Sequence, residues 1–260
     1  MSKRYPAAGA SEAGLAGCPA MGTAADLETP GGGWTLVVPV KALGRAKSRL
    51  SRALPPAGRR ELVLAMATDV LRACAATPGV SRVRVVTSDP AVEALARQLG
   101  LDFVAEPQAP AGGPELDPLN TALASAIRNL PGPVGVVTAD LPELRPDLLA
   151  GILAAAARHP HSVVPDRQGA GTTMAFWTGP ARFRTPRFGA DSAARHLREG
   201  GAVSLRHADP TGAAGRDVDT PEDLVGLTGR SVGGATATTL RAGSGAHDAR
   251  VTAVSATMVP

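Results

Sequence analysis

The sequence predicts an α/β fold: one domain with a mostly parallel, twisted sheet flanked by helices. Apolar runs typical of buried strands alternate along the chain with helical patterns, which is the order that parallel sheets require. The hydrophobic fraction of 44% is enough for a core. Because aromatic residues are only 3% of the chain, that core must consist mainly of Ala, Val and Leu.

The first half of the predicted domain alternates between strand and helix. Its first helix carries Leu62, Met66, Val70 and Cys74 at a spacing of four, which indicates one buried face. The next helix starts at Asp89-Pro90, where a capping side chain precedes a proline. The predicted elements in order are strand Thr35–Val40, helix Pro56–Thr77, strand Arg82–Thr87, the helix from Asp89, strand Asp102–Ala105 and helix Asp117–Leu130.

The second half continues the alternation. Thr220-Pro221-Glu222-Asp223 is a strong helix start, because it combines a cap, a proline and an acid three residues after the cap. The predicted elements in order are strand Pro133–Thr138, helix Arg145–Arg158, strands Ser162–Pro165 and Thr172–Trp177, helix Asp191–Glu199 and the helix from Thr220.

Composition places the domain at residues 34–230. Residues 1–33 and 231–260 are rich in small residues, Gly and Pro or Ser and Thr, without a period, and we expect both to be disordered. The net charge of +4 comes without any run of five like charges, so no nucleic-acid partner is indicated. With no long apolar run, no membrane span is expected, and the two cysteines, Cys18 and Cys74, fit a reducing cytoplasm.

A basic loop directly follows the first strand. Lys41, Arg45, Lys47 and Arg49 lie within nine residues, and two of the three lysines of the whole chain are among them. Cations and backbone donors after the first strand of an α/β fold are suited to hold a polyphosphate. A solvated basic turn would look the same, so this motif alone leaves both interpretations open.

Aspartates stand where metal ligands would project. Asp140 follows the apolar run of a predicted strand, and Asp217 and Asp219 point to the same side of an extended segment. Two such carboxylates repel each other unless a hard divalent cation relieves the repulsion. Helix capping is an equally good explanation for Asp140, and turn and cap chemistry explains Thr220, Glu222 and Asp223, but it gives no reason for Asp217.

Two further segments combine glycines with hydroxyl side chains, and a third carries an amide side chain. Thr172 and Thr173 follow two glycines before a strand, and Gly189 and Ser192 enter a helix; both arrangements offer donors to an anion. A hairpin turn and a helix cap are the alternative interpretations. Asn120, in the first turn of a helix, would contact a base or ribose, or only belong to that turn.

Taken together, these strings resemble a known family. The order V-P-V-K-x-L-x-x-A-K-S-R-L, L-N-x-A-L, A-D-L-P, P-D-R-x-G-x-G-T-T, F-G-x-D-S-x-x-x-H and D-V-D-T-P-E-D-L is similar to the phosphoenolpyruvate / 2-phospho-L-lactate guanylyltransferases of coenzyme F-420 biosynthesis. The match spans about Leu36 to Leu227. One departure is Pro118, where the family usually has glycine.

The resemblance implies a GT-A-like nucleotidyltransferase fold, GTP and phosphoenolpyruvate as substrates, and Mg²⁺ as cofactor. It implies the following roles: metal ligands Asp140, Asp219 and Asp217; catalytic residues Lys47, Arg49 and Asp140; nucleotide contacts Lys41, Lys47 and Asn120; and phosphoenolpyruvate contacts Thr173 or Thr172, Gly189 and Ser192. The open alternatives are 2-phospho-L-lactate or 3-phosphoglycerate as acceptor, and a non-catalytic nucleotide-binding module on the same fold. The oligomeric state is not predicted.

Overall fold

The computed structural model describes residues 32–44, 46–105, 117–199 and 201–242, all of them within one compact unit. The strands are β1 (Trp34–Pro39), β2 (Val80–Thr87), β3 (Asp102–Ala105), β4 (Val134–Val137), β5 (His161–Pro165), β6 (Thr172–Trp177) and β7 (Val203–Ser204). The helices are α1 (Pro56–Ala76), α2 (Pro90–Gln98), α3 (Pro118–Ile127), α4 (Pro146–Ala156), α5 (Ser192–Glu199), α6 (Pro221–Val225) and α7 (234–242). The predicted alternation of strand and helix is confirmed.

The strands form a seven-stranded sheet in the order β3-β2-β1-β4-β6-β5-β7. Parallel pairs join β1 to β2 and to β4, β2 to β3, and β5 to β7, whereas β6 runs antiparallel between β4 and β5. The sheet is therefore mostly parallel, as predicted. The carboxyl ends of β1 and β4 meet at one edge of this sheet, which is where open α/β sheets bind ligands.

The core is built from small apolar side chains on the central strands. Strands β4, β5 and β6 are buried along their whole length, and β1 is buried at all but its last residue. Packing requires a glycine at position 135, because a Cβ there would lie 2.7 Å from the ring of Phe176 and 2.8 Å from Leu36. Phe176 meets Trp34 edge-on, with ring centroids 5.6 Å apart. These two aromatic side chains thus pack against each other on the central strands β1 and β6.

The predicted cap and proline signals mark the helix starts. Asp89 caps α2 through its side chain, and Thr220 and Asp223 form a capping box at α6. Asp117 caps α3, whose first residue is Pro118. Because the first N–H of a helix has no partner inside the helix, the proline at that position costs no hydrogen bond.

The sequence predicted a disordered tail from residue 231, but the described structure continues to residue 242. The predicted domain boundary at residue 230 is therefore corrected. Residues 231–242 are described, and 234–242 form α7. The carboxylate of Asp69 in α1 caps this helix by accepting the N–H groups of Ala235 at 3.0 Å and Thr236 at 2.8 Å. The Gly233 N–H donates to the Pro142 carbonyl at 2.8 Å. The local sequence did not indicate this helix, because the side chain that caps it comes from a distant part of the chain. Residues 1–31 and 243–260, which carry the rest of the disorder prediction, lie outside the described residues.

Two smaller predictions concern the cysteines and the membrane. Cys74 is a free, buried thiol on α1, while Cys18 lies outside the described residues. Within the described ranges, none of the helices has both the length and the apolar character needed to cross a bilayer. The cytoplasmic location stays a prediction.

Candidate active site

A cleft of about 670 Å³ opens at the carboxyl ends of β1 and β4. Its walls come from the basic loop after β1, the turn after β4, the start of β6, the entry into α5 and the segment before α6. Nearly all the residues singled out from the sequence line it, namely Lys41, Lys47, Arg49, Asp140, Thr172, Thr173, Gly189, Ser192, Asp217 and Asp219. Asn120 is the exception.

The basic loop is folded so that one cation points inward. The Leu43 N–H donates to the Asp89 carboxylate at 2.8 Å, which fixes the loop to the start of α2. Lys47 then has a left-handed backbone (φ 55°) and precedes a 3-10 turn at Ser48–Arg52. Lys41 and Arg49 stay exposed at the cleft, and Arg45 lies outside the described residues. The loop is therefore an anchored turn with one buried ammonium group and two accessible cations.

Lys47 bridges two aspartates from separate parts of the chain. Its ammonium donates to the carboxylates of both Asp140 and Asp219, and its side chain is only 10% exposed. Although burial opposes the charge, these two carboxylates raise the pKa of Lys47 above its ordinary value. Burial likewise opposes ionisation of Asp140, but Lys47 holds the pKa of that carboxyl below its usual range. Lys47 and Asp140 are therefore both charged at neutral pH.

Three carboxylates converge in the cleft. Asp140, Asp217 and Asp219 each offer an oxygen, and these oxygens lie within 4.8 Å of one another. A backbone hydrogen bond from Val218 to the carbonyl of Asp140, 3.2 Å long, brings the two segments together. The sequence could only suggest that these two segments meet, because it is the tertiary structure that brings them together.

The donor set fits a hard divalent cation. It consists of carboxylate oxygens only, which are the ligands preferred by Mg²⁺. Oδ1 of Asp140 is buried and finds no hydrogen-bond partner among the described residues. Burial, together with repulsion from Asp140 and Asp219, raises the pKa of Asp217 to about 7. A bound cation would give Oδ1 of Asp140 a partner and would reduce the repulsion among the three carboxylates.

Two further acidic residues hold the carboxylate segment in place. The Asp223 carboxylate accepts the N–H groups of Asp219 at 3.1 Å and Thr220 at 2.9 Å, so it shapes the turn that carries Asp219. Glu143 forms a two-point ion pair with Arg216, with distances of 2.7 and 3.0 Å. Arg216 directly precedes Asp217, and this pair therefore ties the segment to the chain just beyond Asp140.

Another part of the cleft lining, called the hydroxyl wall below, carries Thr172, Thr173 and Ser192. Oγ1 of Thr172 and Oγ of Ser192 are buried, line the cleft and have no hydrogen-bond partner within the described ranges. The Thr173 hydroxyl, in contrast, contacts the carbonyls of Ala214 at 2.7 Å and Val164 at 3.2 Å. Of the two threonines that the sequence left open, Thr172 is the one with a free hydroxyl.

Sequence reasoning missed the role of Asp166 in this wall. Its carboxylate accepts the N–H groups of Gly169, Ala170 and Gly171 at 2.6, 3.0 and 2.7 Å. A Cβ at Gly171 would lie 2.5 Å from an oxygen of Asp166, so only glycine fits there. An aspartate three residues before a Gly-x-Gly string was the signal for such a carboxylate-centred loop.

Asn120 does not line the cleft. Its carboxamide instead contacts the main chain of Phe188 and the carboxylate of Asp117. The predicted contact with a base or ribose therefore has no support in the geometry. The side chain lies behind the wall that carries Gly189, which has a φ of +109°.

Comparisons with known proteins point to one family. The family model described as "Guanylyl transferase CofC like" matches residues 34–241. The chain is 45% identical over 209 residues to the phosphoenolpyruvate guanylyltransferase of Streptomyces coelicolor, covering 78% of this chain and 94% of that protein. It is 44% identical over 210 residues to the enzyme of the same name from Mycolicibacterium gilvum, covering 80% and 94%.

Solved structures show the fold. A protein of Desulfovibrio desulfuricans described as a nucleotide-diphospho-sugar transferase superimposes with a TM-score of 0.59 at 16% identity, over 82% of this chain and 96% of that one. A nucleotidyl transferase from Methanothermobacter thermautotrophicus gives a TM-score of 0.54 at 17% identity, over 82% and 100%. The fold is therefore that of nucleotidyltransferases, as the sequence predicted.

Proposed function

Since the chain belongs to the CofC-like guanylyltransferase family, we propose that it transfers GMP from GTP to the phosphate of phosphoenolpyruvate. The products are enolpyruvyl-diphospho-5'-guanosine and pyrophosphate, a step of coenzyme F-420 biosynthesis. The observation that carries this proposal is the convergence of Asp140, Asp217 and Asp219 with Lys47 in one cleft. An acidic cluster beside a basic loop is suited to a reaction between two polyanions.

The chemistry needs positioning and charge neutralisation more than a base. An oxygen of the acceptor's phosphate attacks the α-phosphorus of GTP, a new P–O bond forms, and pyrophosphate leaves with the electrons of the broken bond. A phosphate monoester has a second pKa of about 6, so this nucleophile is already ionised near neutral pH. The absence of a paired general base in the described cleft is consistent with this scheme.

The barrier lies in bringing like charges together. Two unit charges about 4 Å apart repel by about 4 kcal/mol at an effective dielectric constant near 20. Lys41 and Arg49, which are exposed at the cleft, would bind the β- and γ-phosphates, and Arg49 with Lys47 would neutralise the departing pyrophosphate. Asp140, Asp219 and Asp217 would hold Mg²⁺, which when bound offsets the charge of the reacting phosphates.

The hydroxyl wall would bind the acceptor. Thr172 and Ser192 each present a buried hydroxyl without a partner in the described structure, and such groups are stabilised by an anion that accepts their hydrogen bonds. Gly189 adds an accessible main chain at the same wall. Thr173 would act only through the backbone, because its hydroxyl is already bonded.

The direct test is Asp140→Asn assayed by pyrophosphate release with GTP, phosphoenolpyruvate and Mg²⁺. We expect a rate loss of at least about a hundredfold, the scale of losing one key electrostatic group. The matched control is Asp147→Asn on α4, whose side chain is 71% exposed. It should stay within about twofold of the parent protein.

Acceptor choice is tested in the same assay. Phosphoenolpyruvate, 2-phospho-L-lactate and 3-phosphoglycerate are compared at equal concentration, each with GTP and with ATP. The proposal expects the highest kcat/KM for GTP with phosphoenolpyruvate. GTP binding without turnover of any acceptor would instead favour the non-catalytic module.

A further inference from the structure

The carboxamide of Asn120 binds both main-chain groups of Phe188, as the backbone of a neighbouring β-strand would. The Phe188 N–H donates to Oδ1 of Asn120 at 2.8 Å, and Nδ2 of Asn120 donates to the Phe188 carbonyl at 2.9 Å. The second N–H of that amide donates to Asp117 at 2.7 Å. The orientation of the carboxamide is fixed, because only its oxygen can accept the Phe188 N–H.

The segment held in this way leads straight into the hydroxyl wall. Phe188 is buried (3% exposed), and Gly189 follows with a φ of +109°, a conformation that glycine adopts readily and other residues rarely. Asp191 also has a positive φ, of 52°, and Ser192 then begins α5. This path is not a regular element. Backbone hydrogen bonds join Ser192 to the Gly189 carbonyl at 3.2 Å and Ala193 to the Ala170 carbonyl at 3.0 Å, and side chains bind the main chain of Phe188.

The side chain of Arg195 also binds the main chain of this segment. Nη2 of Arg195 donates to the carbonyls of Phe188 at 3.0 Å and Ala190 at 2.9 Å. Arg195 belongs to α5, which the wall itself enters, whereas Asn120 belongs to α3 and is independent of the wall. Asn120 therefore connects the wall to the remainder of the domain.

We propose that Asn120 is a positioning residue for the acceptor: by binding both main-chain groups of Phe188, it sets the place of Gly189 and Ser192 in the cleft. This inference rests on the proposed function and assigns Asn120 to the acceptor side instead of the nucleotide. Asn120 itself does not line the cleft. Its loss should weaken acceptor binding while GTP binding is unaffected.

The test is Asn120→Ala assayed for pyrophosphate release, with KM measured for each substrate. We expect KM for phosphoenolpyruvate to rise about tenfold and KM for GTP to stay within about twofold, since a tenfold change corresponds to about 1.4 kcal/mol, the scale of lost main-chain contacts. The matched control is Asn129→Ala, an exposed asparagine near the end of α3, which should change neither value. Melting temperatures of both variants separate folding from positioning.

Rescue by exchange gives a second readout. The double variant Asp117→Asn with Asn120→Asp keeps the amide–carboxylate contact between the two side chains, and the carboxylate introduced at position 120 still accepts the Phe188 N–H. Its KM for phosphoenolpyruvate should lie between the values of Asn120→Ala and of the parent protein, because the Phe188 N–H keeps its acceptor while the Phe188 carbonyl loses its donor. If Asn120→Ala does not fold, the single variant Asn120→Asp is measured in its place.

The outcomes separate the two proposals. A parent protein that uses GTP and phosphoenolpyruvate, together with an unchanged KM for phosphoenolpyruvate in the Asn120 variants, would overturn the positioning role and leave the proposed function standing. Equal increases in both KM values would also overturn it, because they indicate a general defect. A parent protein that releases no pyrophosphate with any acceptor would overturn the proposed function and this role with it.

Discussion

Replacing Lys47 by methionine should strengthen cation binding while it weakens turnover. Methionine keeps an unbranched apolar stem but removes the ammonium group, which contacts the carboxylates of Asp140 and Asp219. These are two of the three proposed ligands, so a divalent ion must compete with Lys47 for them. The free protein thus holds its own lysine at the place where the cation is expected.

The size of the effect follows from the two contacts. A hydrogen bond between charged groups contributes about 1.5–3 kcal/mol when shielded and well under 1 kcal/mol when exposed. Asp140 is largely shielded, at 22% exposure, whereas Asp219 is 45% exposed, so the first contact dominates. Removing a competitor of about 2 kcal/mol should lower the Kd for the cation roughly thirtyfold.

The assay is calorimetric titration of Mn²⁺ into nucleotide-free protein, for the parent, Lys47→Met and Lys41→Met. Lys41 is the matched control, because it belongs to the same loop and lines the same cleft but is exposed. Its removal should leave the Mn²⁺ affinity nearly unchanged. In the complete reaction, Lys47→Met should lose about a hundredfold in rate, as expected when a phosphate-neutralising group is removed. Weaker or unaltered Mn²⁺ binding by Lys47→Met would refute the competition.

Three further predictions concern the framework around the cleft. Burial lowers the pKa of His196 from 6.5 to about 3, so only the unfolded chain gains this proton below pH 6.5, and the contribution of His196 to stability falls as the pH falls. Asp217, whose pKa is raised to about 7, contributes in the opposite direction over the same range, so the test compares two proteins. At about 1.4 kcal/mol per pH unit, the unfolding free energy of His196→Asn in urea should shift by about 2 kcal/mol in favour of the variant, relative to the parent protein, between pH 7.5 and pH 5. Gly233→Ala would place a Cβ 2.2 Å from the carboxyl carbon of Asp69, so the amides that begin α7 should lose protection in hydrogen exchange while those of α1 keep theirs. Arg216→Met should cost about 2–3 kcal/mol in chemical denaturation, because it leaves the buried Glu143 carboxylate without its main partner.

Where a candidate residue directly follows a strand, the sequence was sufficient to place it at the cleft. Asp140 follows β4 and Lys41 follows β1, and parallel strands bring such positions to one edge of the sheet whatever else the fold does. Strand β6 could be predicted from its apolar run, but not its antiparallel direction, because direction depends on which neighbours a strand finds.

Side-chain partnerships that span the chain could not be predicted. Lys47 was expected to face a polyphosphate, but in the structure it binds carboxylates that come 93 and 172 residues later. Asn120 resembled a nucleotide contact because a polar residue at a helix start is exposed to any ligand; its partner Phe188 lies 68 residues away. No local pattern encodes such distances.

The same reasoning explains the missed helix α7. Its residues are mainly alanine and threonine, which carry little periodic signal, and its first turn is stabilised by Asp69 of α1. Strand β7 has only two residues, Val203–Ser204, which is too short for alternation to be recognised. Tertiary contacts decide both elements.

The anchorage of the last helix has a practical consequence for anyone who shortens this polypeptide. The Gly233 amide is bonded to the carbonyl of Pro142, two positions after Asp140. Ending the chain at residue 230, the boundary that composition predicts, removes this hydrogen bond together with α7, the helix that Asp69 caps. Shortened versions should therefore retain everything through residue 242, or the turn bearing Asp140 will lose one of its supports.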